Sequence, residues 1–386
     1  MSVSVGVIAQ TIEKIAPKGW AEEWDNVGLL VGGFSSSVDR VLMTLDLTPE
    51  IIEEAIQKDV QMIIAHHPIM FRPLKNLRSD NQGAHLPLKL IQAGIAYYAA
   101  HTNLDQSAYS SSQSLGKALA LDKMEYLRVT NSEKLLKLVT YVPQTHVELV
   151  RQALAQAGVG AGITDGPHAA EYSDCFFAGE GTGMFRPLAG AHPTLGEIGE
   201  LTRVEEIRLE SILSEGLIER SLKALRKSHP YEEPAYDLIP LYNTGVARGY
   251  GVKGYLKEPV SLESIANQVT VELKKLAPTN LDEEPILRLA GDPQGLIRKV
   301  AIVNGSGGSF IPKALFNGVD LLITGDVDHH EALDALEAGL SIIDMGHFWG
   351  EVPMVQSLAE YLSGEKALNG VEVLISQRMK SPWKSL

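Results

Sequence analysis

The amino-acid sequence predicts an α/β fold in which a mainly parallel-sheet domain is interrupted by an inserted ferredoxin-like α+β domain. Short apolar runs alternate with helical segments towards both ends of the chain, a pattern typical of a parallel sheet covered on both faces. The middle shows a strand–helix–strand, strand–helix–strand order, as in ferredoxin-like units. A length of 386 residues also favours more than one domain. We place the first segment of the α/β domain at 1–130, the insert at 131–244 and the second segment at 245–386.

The first segment begins with a short amphipathic helix from Val5 to Ala16. The stretch Trp24-Asp25-Asn26 follows, which we interpret as a packed tryptophan and a turn into a strand. Thr48 is expected to cap a helix that has Pro49 at its first position, and Gly94 is expected to end the next helix. Strands are predicted at Val41–Leu45, Gln61–Ala65 and Ile95–Ala100.

The second segment repeats this pattern. Its predicted strands are Lys299–Val303, Gly318–Thr324 and Ser341–Met345, with a helix at Glu331–Ala338. In the insert, strands are predicted at Leu135–Pro143, Val204–Leu209 and Ala235–Pro240, with helices at His146–Gly158 and Ser214–Ser228. This order is the basis for the ferredoxin-like interpretation.

The composition narrows the choice of partners. The formal charge of −14 disfavours binding to nucleic acid or to an anionic membrane, so a small molecule or another protein is the expected partner. The single cysteine, Cys175, indicates the cytoplasm and excludes both an intrachain disulfide and a thiolate-rich zinc site. No apolar run approaches the roughly 18 residues that span a membrane, and Met1–Gly6 does not resemble the start of a secretory signal.

Imidazoles and carboxylates follow several predicted strands. They are His66, His67, His101, Asp105, Asp326, His329, His330, His347 and Glu351. Because sites in α/β sheets form beyond the carboxyl ends of the strands, we expect these side chains to meet. Imidazole and carboxylate are ligands for zinc, manganese, iron or nickel, so the pattern predicts a metal site. Adjacent residues of an extended chain point to opposite sides, which would let His66 and His67 serve two neighbouring ions.

Three further features are interpreted from local chemistry. Pro353 favours a helix that begins near Val352, which would place His347 on the strand exit and Glu351 at the mouth of the helix. The glycine-rich stretch 305–309 could be a phosphate cradle or a tight turn, but it is not a P-loop, because no Gly-Lys-[Ser/Thr] follows. The stretch 229–234 (His-Pro-Tyr-Glu-Glu-Pro) is interpreted as a structural turn in preference to a second functional surface.

Taken together, the motifs resemble those of the Nif-three-like dinuclear-metal-centre family, whose members are often called GTP cyclohydrolase 1 type 2 homologues. The resemblance covers nearly the whole chain, and the stretch 229–234 is similar to the PII/CutA-like insert of the longer members. The motifs that carry it, in family order, are Trp24-Asp25-Asn26-Val27-Gly28, Ala65-His66-His67-Pro68, His101 to Asp105, Gly305-Ser306-Gly307, Thr324-Gly325-Asp326 with His330, and Gly346-His347 with Glu351.

The resemblance implies two divalent metal ions, zinc, manganese or iron, and a toroidal homohexamer. The metal ligands that it implies are His66, His67, Asp105, His347 and Glu351, with Glu351 or Asp105 bridging. It also implies that His101, Asp326 and His330 line the site or orient its ligands. We expect His101 or His330 to move protons in catalysis, and of the doublet His329-His330 we favour the second residue.

Three functions remain open on the sequence. The first is a metal-dependent hydrolase of a nucleotide, a pterin-like compound or a phosphoester. The second is a metal-dependent regulatory or chaperone-like hexamer without turnover, which the PII/CutA-like insert would suit. The third is DNA binding, against which the net acidity argues. We favour the hydrolase, because few protein ligands per ion leave positions open for water.

Overall fold

The computed structural model describes residues 2–161, 172–279, 281 and 283–384. The chain forms two compact units, one from Met1–Val129 with Gly249–Leu386 and the other from Thr130–Arg248. The predicted fold class is confirmed, since parallel sheets with helices form the first unit and an α+β arrangement forms the second. The domain limits predicted above and the PII/CutA-like identity of the insert stay predictions.

The strands are numbered along the chain. They are β1 (Val3–Ser4), β2 (Gly28–Val31), β3 (Ser37–Val38), β4 (Arg40–Thr44), β5 (Met62–Ala65), β6 (Ala96–Ala99), β7 (Asp122–Pro143), β8 (Phe176–Phe185), β9 (Thr202–Ser214), β10 (Tyr236–Ser261), β11 (Arg288–Ala290), β12 (Leu296–Ser306), β13 (Leu321–Gly325), β14 (Ser341–Asp344) and β15 (Glu372–Ile375). Both β7 and β10 contribute residues to the two units.

The α-helices are numbered in the same way. They are α1 (Val5–Ile15), α2 (Pro49–Gln57), α3 (His85–Ala93), α4 (Thr102–Asp105), α5 (Ser111–Ala118), α6 (Val147–Gln156), α7 (Ile218–Ser228), α8 (Leu262–Leu276), α9 (Ile311–Phe316), α10 (His329–Glu337) and α11 (His347–Gly364). Short 3-10 turns lie at Lys18–Trp20, Gln82–Ala84, Gln144–His146, Glu215–Leu217, Gly308–Phe310 and Lys366–Leu368. Among the residues described, no helix combines the length and the apolar character that crossing a bilayer requires.

Parallel strands form the centre of two sheet arrangements in the first unit. In the order β15-β4-β5-β6-β2, all neighbours are parallel except β2 and β6. In the order β11-β14-β13-β12-β10, the inner strands are parallel and the outer pairs antiparallel. All four residues of β5 and of β6 are buried, as expected for strands covered on both faces. The carboxyl ends of β5 and β6 therefore belong to strands that are buried throughout.

The local start and stop signals act mostly as predicted. Pro49 is the first residue of α2, and Gly94 ends α3 in the left-handed conformation, with φ of 68°. Thr48 occupies the N-cap position of α2, but its side chain makes no capping hydrogen bond. Pro49, whose fixed φ suits the first helical position, is therefore the start signal that the structure bears out here.

The second unit pairs its strands in the order β10-β7-β9-β8, with α6 and α7 completing a β-α-β-β-α-β chain order. Its apolar core includes Leu138, Val150 and Leu225 from a strand and the two helices. Strand β8 is not predicted by the sequence, because Gly179, Gly181 and Gly183 weaken its strand signal.

Helix α10 begins earlier than predicted, at His329 instead of Glu331. The cause is a capping box, in which the Asp328 carboxylate accepts from the Glu331 backbone N–H and the Glu331 side chain accepts from the Asp328 N–H. The doublet His329-His330 consequently lies in the first turn of a helix, and both side chains are exposed.

Helix α11 also begins earlier than predicted, at His347 instead of near Val352, so Pro353 lies inside it. Proline removes a helical N–H and disturbs the turn before it. The Ser111 hydroxyl compensates, since it donates to the Glu351 carbonyl at 3.0 Å and accepts from the Met354 N–H at 3.1 Å. His347 and Glu351 therefore share one helix face, one turn apart.

Candidate metal centre

Four histidines come together at the carboxyl ends of strands from both sheets of the first unit. His66 and His67 follow β5, His101 follows β6, and His347 begins α11 just after β14. Among the described residues, two groups of side chains offer ligand atoms within 4.8 Å of one another. The groups are His66 with His67 and His101, and His67 with His347 and Glu351. We call these five residues, together with Asp105, the ligand cluster.

The Nδ1 atom of each of these histidines faces an oxygen that can only accept a hydrogen bond. The partners are Ala100 O for His66 (2.7 Å), Asp46 Oδ1 for His67 (2.7 Å), Asp25 Oδ1 for His101 (2.9 Å) and Asp326 Oδ2 for His347 (2.7 Å). Each Nδ1 therefore carries the proton, and each Nε2 is the atom turned towards the cluster. This is the arrangement by which proteins orient metal-binding imidazoles.

Glu351 presents one carboxylate oxygen to each member of the doublet. Its Oε2 atom lies 3.0 Å from Nε2 of His67 and 3.0 Å from Nε2 of His347, and these two nitrogens are 3.4 Å apart. Its Oε1 atom lies 3.7 Å from Nε2 of His66. The carboxylate thus stands between two sets of imidazoles, as a bridging ligand would.

The residues present fit a metal ion. Donor atoms bound to one ion at about 2.1 Å cannot be more than about 4.2 Å apart, and the separations of 3.0 to 3.7 Å satisfy this. With every imidazole proton on Nδ1, the buried atoms His66 Nε2 and Glu351 Oε2 have no hydrogen-bond partner among the described residues. Orphaned buried polar atoms are rare and call for an explanation, and a cation between them supplies one.

Asp105 is a second buried carboxylate in the cluster, with Oδ1 3.7 Å from Nε2 of His66. Burial, and then the negative charge of Glu351, raise its pKa. Asn304 fixes its orientation by donating from Nδ2 to Oδ1 at 2.6 Å, and Ser112 donates in turn to the Asn304 amide oxygen at 2.6 Å. Two carboxylates so close together favour the approach of a cation.

The pKa values of two histidines show how strongly the neighbouring carboxylates favour positive charge at this site. Burial alone would lower the pKa of His67, but the hydrogen bonds to Asp46 and Glu351 outweigh it and raise this pKa to about 10. The hydrogen bond to Glu351 raises the pKa of His347 to about 9. Burial opposes ionisation of Glu351, yet the neighbouring His66 and His347 hold its pKa well below its ordinary value. Cations and protons therefore compete for the same Nε2 atoms.

The glycine-rich stretch 305–309 packs against this carboxylate. Gly305 has φ of +62°, and a Cβ atom there would overlap Oε1 of Glu351. Absence of a side chain at this position therefore makes room for the carboxylate. The stretch lies directly beside the site, and its use as a phosphate cradle stays a prediction.

The interpretation of Trp24 as a packed residue is wrong, because 61% of it is exposed. Its neighbour Asp25 makes the more important contacts. The Asp25 carboxylate accepts from His101 Nδ1, from the Thr102 N–H at 3.1 Å and from the Thr102 hydroxyl at 2.5 Å. Burial alone would raise the pKa of Asp25, but these hydrogen bonds outweigh it and lower the pKa to about 2. Asp25 is therefore ionised and holds His101 in place.

The structure brings together most of the predicted site residues. Asp326 reaches the cluster only through Nδ1 of His347, and His330 lies outside both groups, packed edge-on against His329 with centroids 5.4 Å apart. Sequence reasoning missed Asp46 and Asn304. Asp46 directly follows the predicted strand Val41–Leu45, so the criterion of a polar residue at a strand exit could have found it.

The chain is similar to a known family and to solved structures over nearly its full length. The family model of Duf34/NIF3 (NGG1p interacting factor 3) matches residues 3–382. A protein of Halalkalibacterium halodurans named GTP cyclohydrolase 1 type 2 homolog is 42% identical over 340 residues, which is 88% of this chain and 87% of that protein. The Bacillus subtilis protein of the same name is 38% identical over 388 residues, covering 100% and 99%. The crystal structure of a Bacillus cereus protein related to NIF3 superimposes with a TM-score of 0.84 at 38% identity, covering 98% of each chain.

Proposed function

Because this chain belongs to the Duf34/NIF3 family, we propose that it is a two-metal hydrolase acting on a nucleotide, a pterin-like compound or another small phosphoester. The observation that supports this most strongly is the ligand cluster itself. Four imidazoles turn Nε2 towards two buried carboxylates, and each Nδ1 is held by an oxygen. The names of the relatives, GTP cyclohydrolase 1 type 2 homolog, support a nucleotide or a related ring compound as substrate.

We assign the ligands to two divalent cations, of zinc, manganese or iron, which imidazole and carboxylate suit. His66, His101 and Asp105 would hold one, and His67 and His347 the other. Glu351 would bridge them, since Oε1 faces His66 and Oε2 faces His67 and His347. We assign His101 as a ligand in preference to a proton carrier. Its Nδ1 atom is held by the Asp25 carboxylate in the same way as Nδ1 of His67 is held by the Asp46 carboxylate.

The chemistry that two such cations would supply when bound is a water of lowered pKa and stabilisation of charge on a phosphoryl or ring oxygen. The protein supplies orientation and charge. Asp25, Asp46 and Asp326 keep the proton on Nδ1 of His101, His67 and His347, and the Ala100 carbonyl does the same for His66, which leaves each Nε2 lone pair for binding. The buried carboxylates of Asp105 and Glu351 balance the positive charge. Asp326 acts here as a positioning residue, and the proposal gives no role to His330.

The test is turnover and metal content of Glu351→Gln beside the matched variant Glu360→Gln, which changes an exposed residue of the same helix. Protein loaded with manganese, zinc or iron is screened against nucleotides, pterins and phosphoesters, and metal per chain is measured by mass spectrometry. We expect Glu351→Gln to lose both turnover and metal, and Glu360→Gln to lose neither. Full turnover in Glu351→Gln would refute the proposal.

A regulatory or chaperone-like hexamer without turnover is the second candidate. It is favoured by the second unit, which has its own apolar core, whereas both ligand groups found among the described residues lie in the first unit. For either function we propose a toroidal homohexamer in the cytoplasm, of six times the chain mass of 41.9 kDa. Light scattering with and without a chelator tests this. Dissociation on metal removal, with no turnover of any substrate, would favour the regulatory function.

A further inference from the structure

Two exposed aromatic side chains lie directly beside the ligand cluster. Trp24 is 61% exposed and Phe71 is 50% exposed. Their ring centroids are 6.5 Å apart with an interplanar angle of 28°. Both rings contact the imidazole of His101 edge to face, with centroids 6.0 Å and 5.8 Å away. The aromatic pair therefore stands against one of the candidate metal ligands.

The pair is held in position by the residues next to each ring. Asn26 donates from Nδ2 to the Met70 carbonyl at 2.6 Å, which joins the two segments that carry the rings. Asp25 anchors the first segment to His101. Large aromatic side chains gain most when they are buried or stacked, so an exposed pair is a favourable surface for a further ring.

Two basic residues follow Phe71 in the same loop. Arg72 and Lys75 are exposed, and neither forms an ion pair with any residue that the structure describes. Arg78, further along, is paired with Asp80. Two basic side chains without an ion-pair partner in the described part of the chain, one and four residues after Phe71, are notable in a chain with a formal charge of −14. Together the rings and the cations suit a ligand that combines a planar ring with an anionic group.

We propose that Trp24 and Phe71 form a subsite for the planar heterocycle of a nucleotide, whose phosphate is attracted by Arg72 and Lys75. This inference rests on the proposed function, because it places the substrate beside the same cluster. It also narrows that function, since a simple phosphoester without a ring would not use the subsite. Stacking on an aromatic face tolerates different bases, so the subsite selects the class of ligand rather than one base.

The experiment compares two ligands, one with and one without the planar base. Isothermal titration calorimetry on the full-length, manganese-loaded protein measures the Kd of guanosine 5′-monophosphate and of ribose 5-phosphate. The variants are Trp24→Ala, Phe71→Ala and the conservative Trp24→Phe. The control is Trp383→Ala, which removes a tryptophan that is 83% exposed and outside the cluster. Metal content and assembly mass are measured on each variant.

We expect the nucleotide to bind the wild-type protein at least about tenfold more tightly than the sugar phosphate. Trp24→Ala and Phe71→Ala should each weaken nucleotide binding about tenfold and leave ribose 5-phosphate unchanged. Trp24→Phe should retain most of the affinity, and Trp383→Ala all of it. Metal per chain should be the same in every variant, because neither ring is a ligand.

Three results would overturn the subsite. The first is that the wild-type protein binds the nucleotide no more tightly than ribose 5-phosphate, or does not bind it at all. The second is that Trp24→Ala weakens the binding of both ligands equally, and the third is that Trp24→Ala changes the assembly mass but not the affinity for the nucleotide. The last would make the pair a contact between copies of the chain. None of these refutes the two-metal hydrolase, which fails separately if Glu351→Gln keeps full turnover.

Discussion

The backbone of Gly305 lies so close to the Glu351 carboxylate that a Cβ atom at Gly305 would overlap Oε1. This contact ties the glycine-rich stretch after β12 to the residue that faces both halves of the ligand cluster. Any side chain at this position has to displace the carboxylate or the loop. The metal site therefore depends on a residue that cannot itself bind metal.

Gly305→Ala is expected to lower metal content for this reason. Its matched control is Gly318→Ala, because Gly318 has nearly the same φ, +61° against +62°, but a Cβ atom there would meet no described atom within 4 Å. Both variants should lose about 1–2 kcal/mol of unfolding free energy from the left-handed backbone. Only Gly305→Ala should also lose metal, measured by mass spectrometry. Equal metal content in the two variants would contradict the role of the contact.

Asp46→Ala should weaken metal binding although the Asp46 side chain is 51% exposed. Without its carboxylate, nothing holds the proton on Nδ1 of His67, and loss of such a partner costs about 10- to 100-fold in metal affinity. Competition with a chromogenic chelator measures the change. Asp39→Ala, at another exposed aspartate next to β4, should bind as the wild type does. If the two variants bind metal alike, Asp46 does not orient His67.

The sequence predicts the doublet His66-His67 at a strand exit because the apolar run before it, which Pro68 stops, indicates a buried strand. It does not predict that α11 begins at His347, since Pro353 is a strong local signal for a helix that begins near Val352. The residue that overrides this signal, Ser111, lies about 240 residues earlier in the chain, and no local pattern links the two. Local preferences thus locate the ligands, whereas distant hydrogen bonds decide which of them share a helix face.

Ser111→Ala should destabilise the protein, because it removes two buried hydrogen bonds to the backbone of α11 on either side of Pro353. Each such bond contributes about 0.5–1.5 kcal/mol. Ser114→Ala on the same helix is the control, since it loses only a 3.3 Å contact with the Ser357 hydroxyl. Urea unfolding followed by circular dichroism measures the difference. Similar midpoints and slopes for the two variants would show that Pro353 needs no compensation.

The stretch 229–234 of the second unit should respond to acid through His229. Its Nε2 donates to the Tyr141 carbonyl at 3.0 Å, and its Nδ1 accepts from the Tyr231 N–H at 3.1 Å, so the folded state requires the neutral ring. Burial lowers the pKa of His229 below its usual 6.5. A lowered pKa means that the unfolded state binds the proton more readily, so this contribution is complete above pH about 6.5 and is lost as the pH falls through the folded value.

Hydrogen exchange at the Tyr231 N–H measures this effect locally. In the wild type, protection should stay constant above pH about 6.5 and should fall as the pH is lowered from there to about 5, after correction for the intrinsic exchange rate. In His229→Gln, the side-chain amide of the glutamine can still donate to the Tyr141 carbonyl but cannot titrate. The protection of the Tyr231 N–H should then be nearly independent of pH. His192→Gln, which removes an exposed histidine of the same unit, should behave as the wild type does. The same pH dependence in His229→Gln and the wild type would assign the acid response to another group, and the turn would then owe its stability to the hydrogen bond of Tyr231 to Glu206.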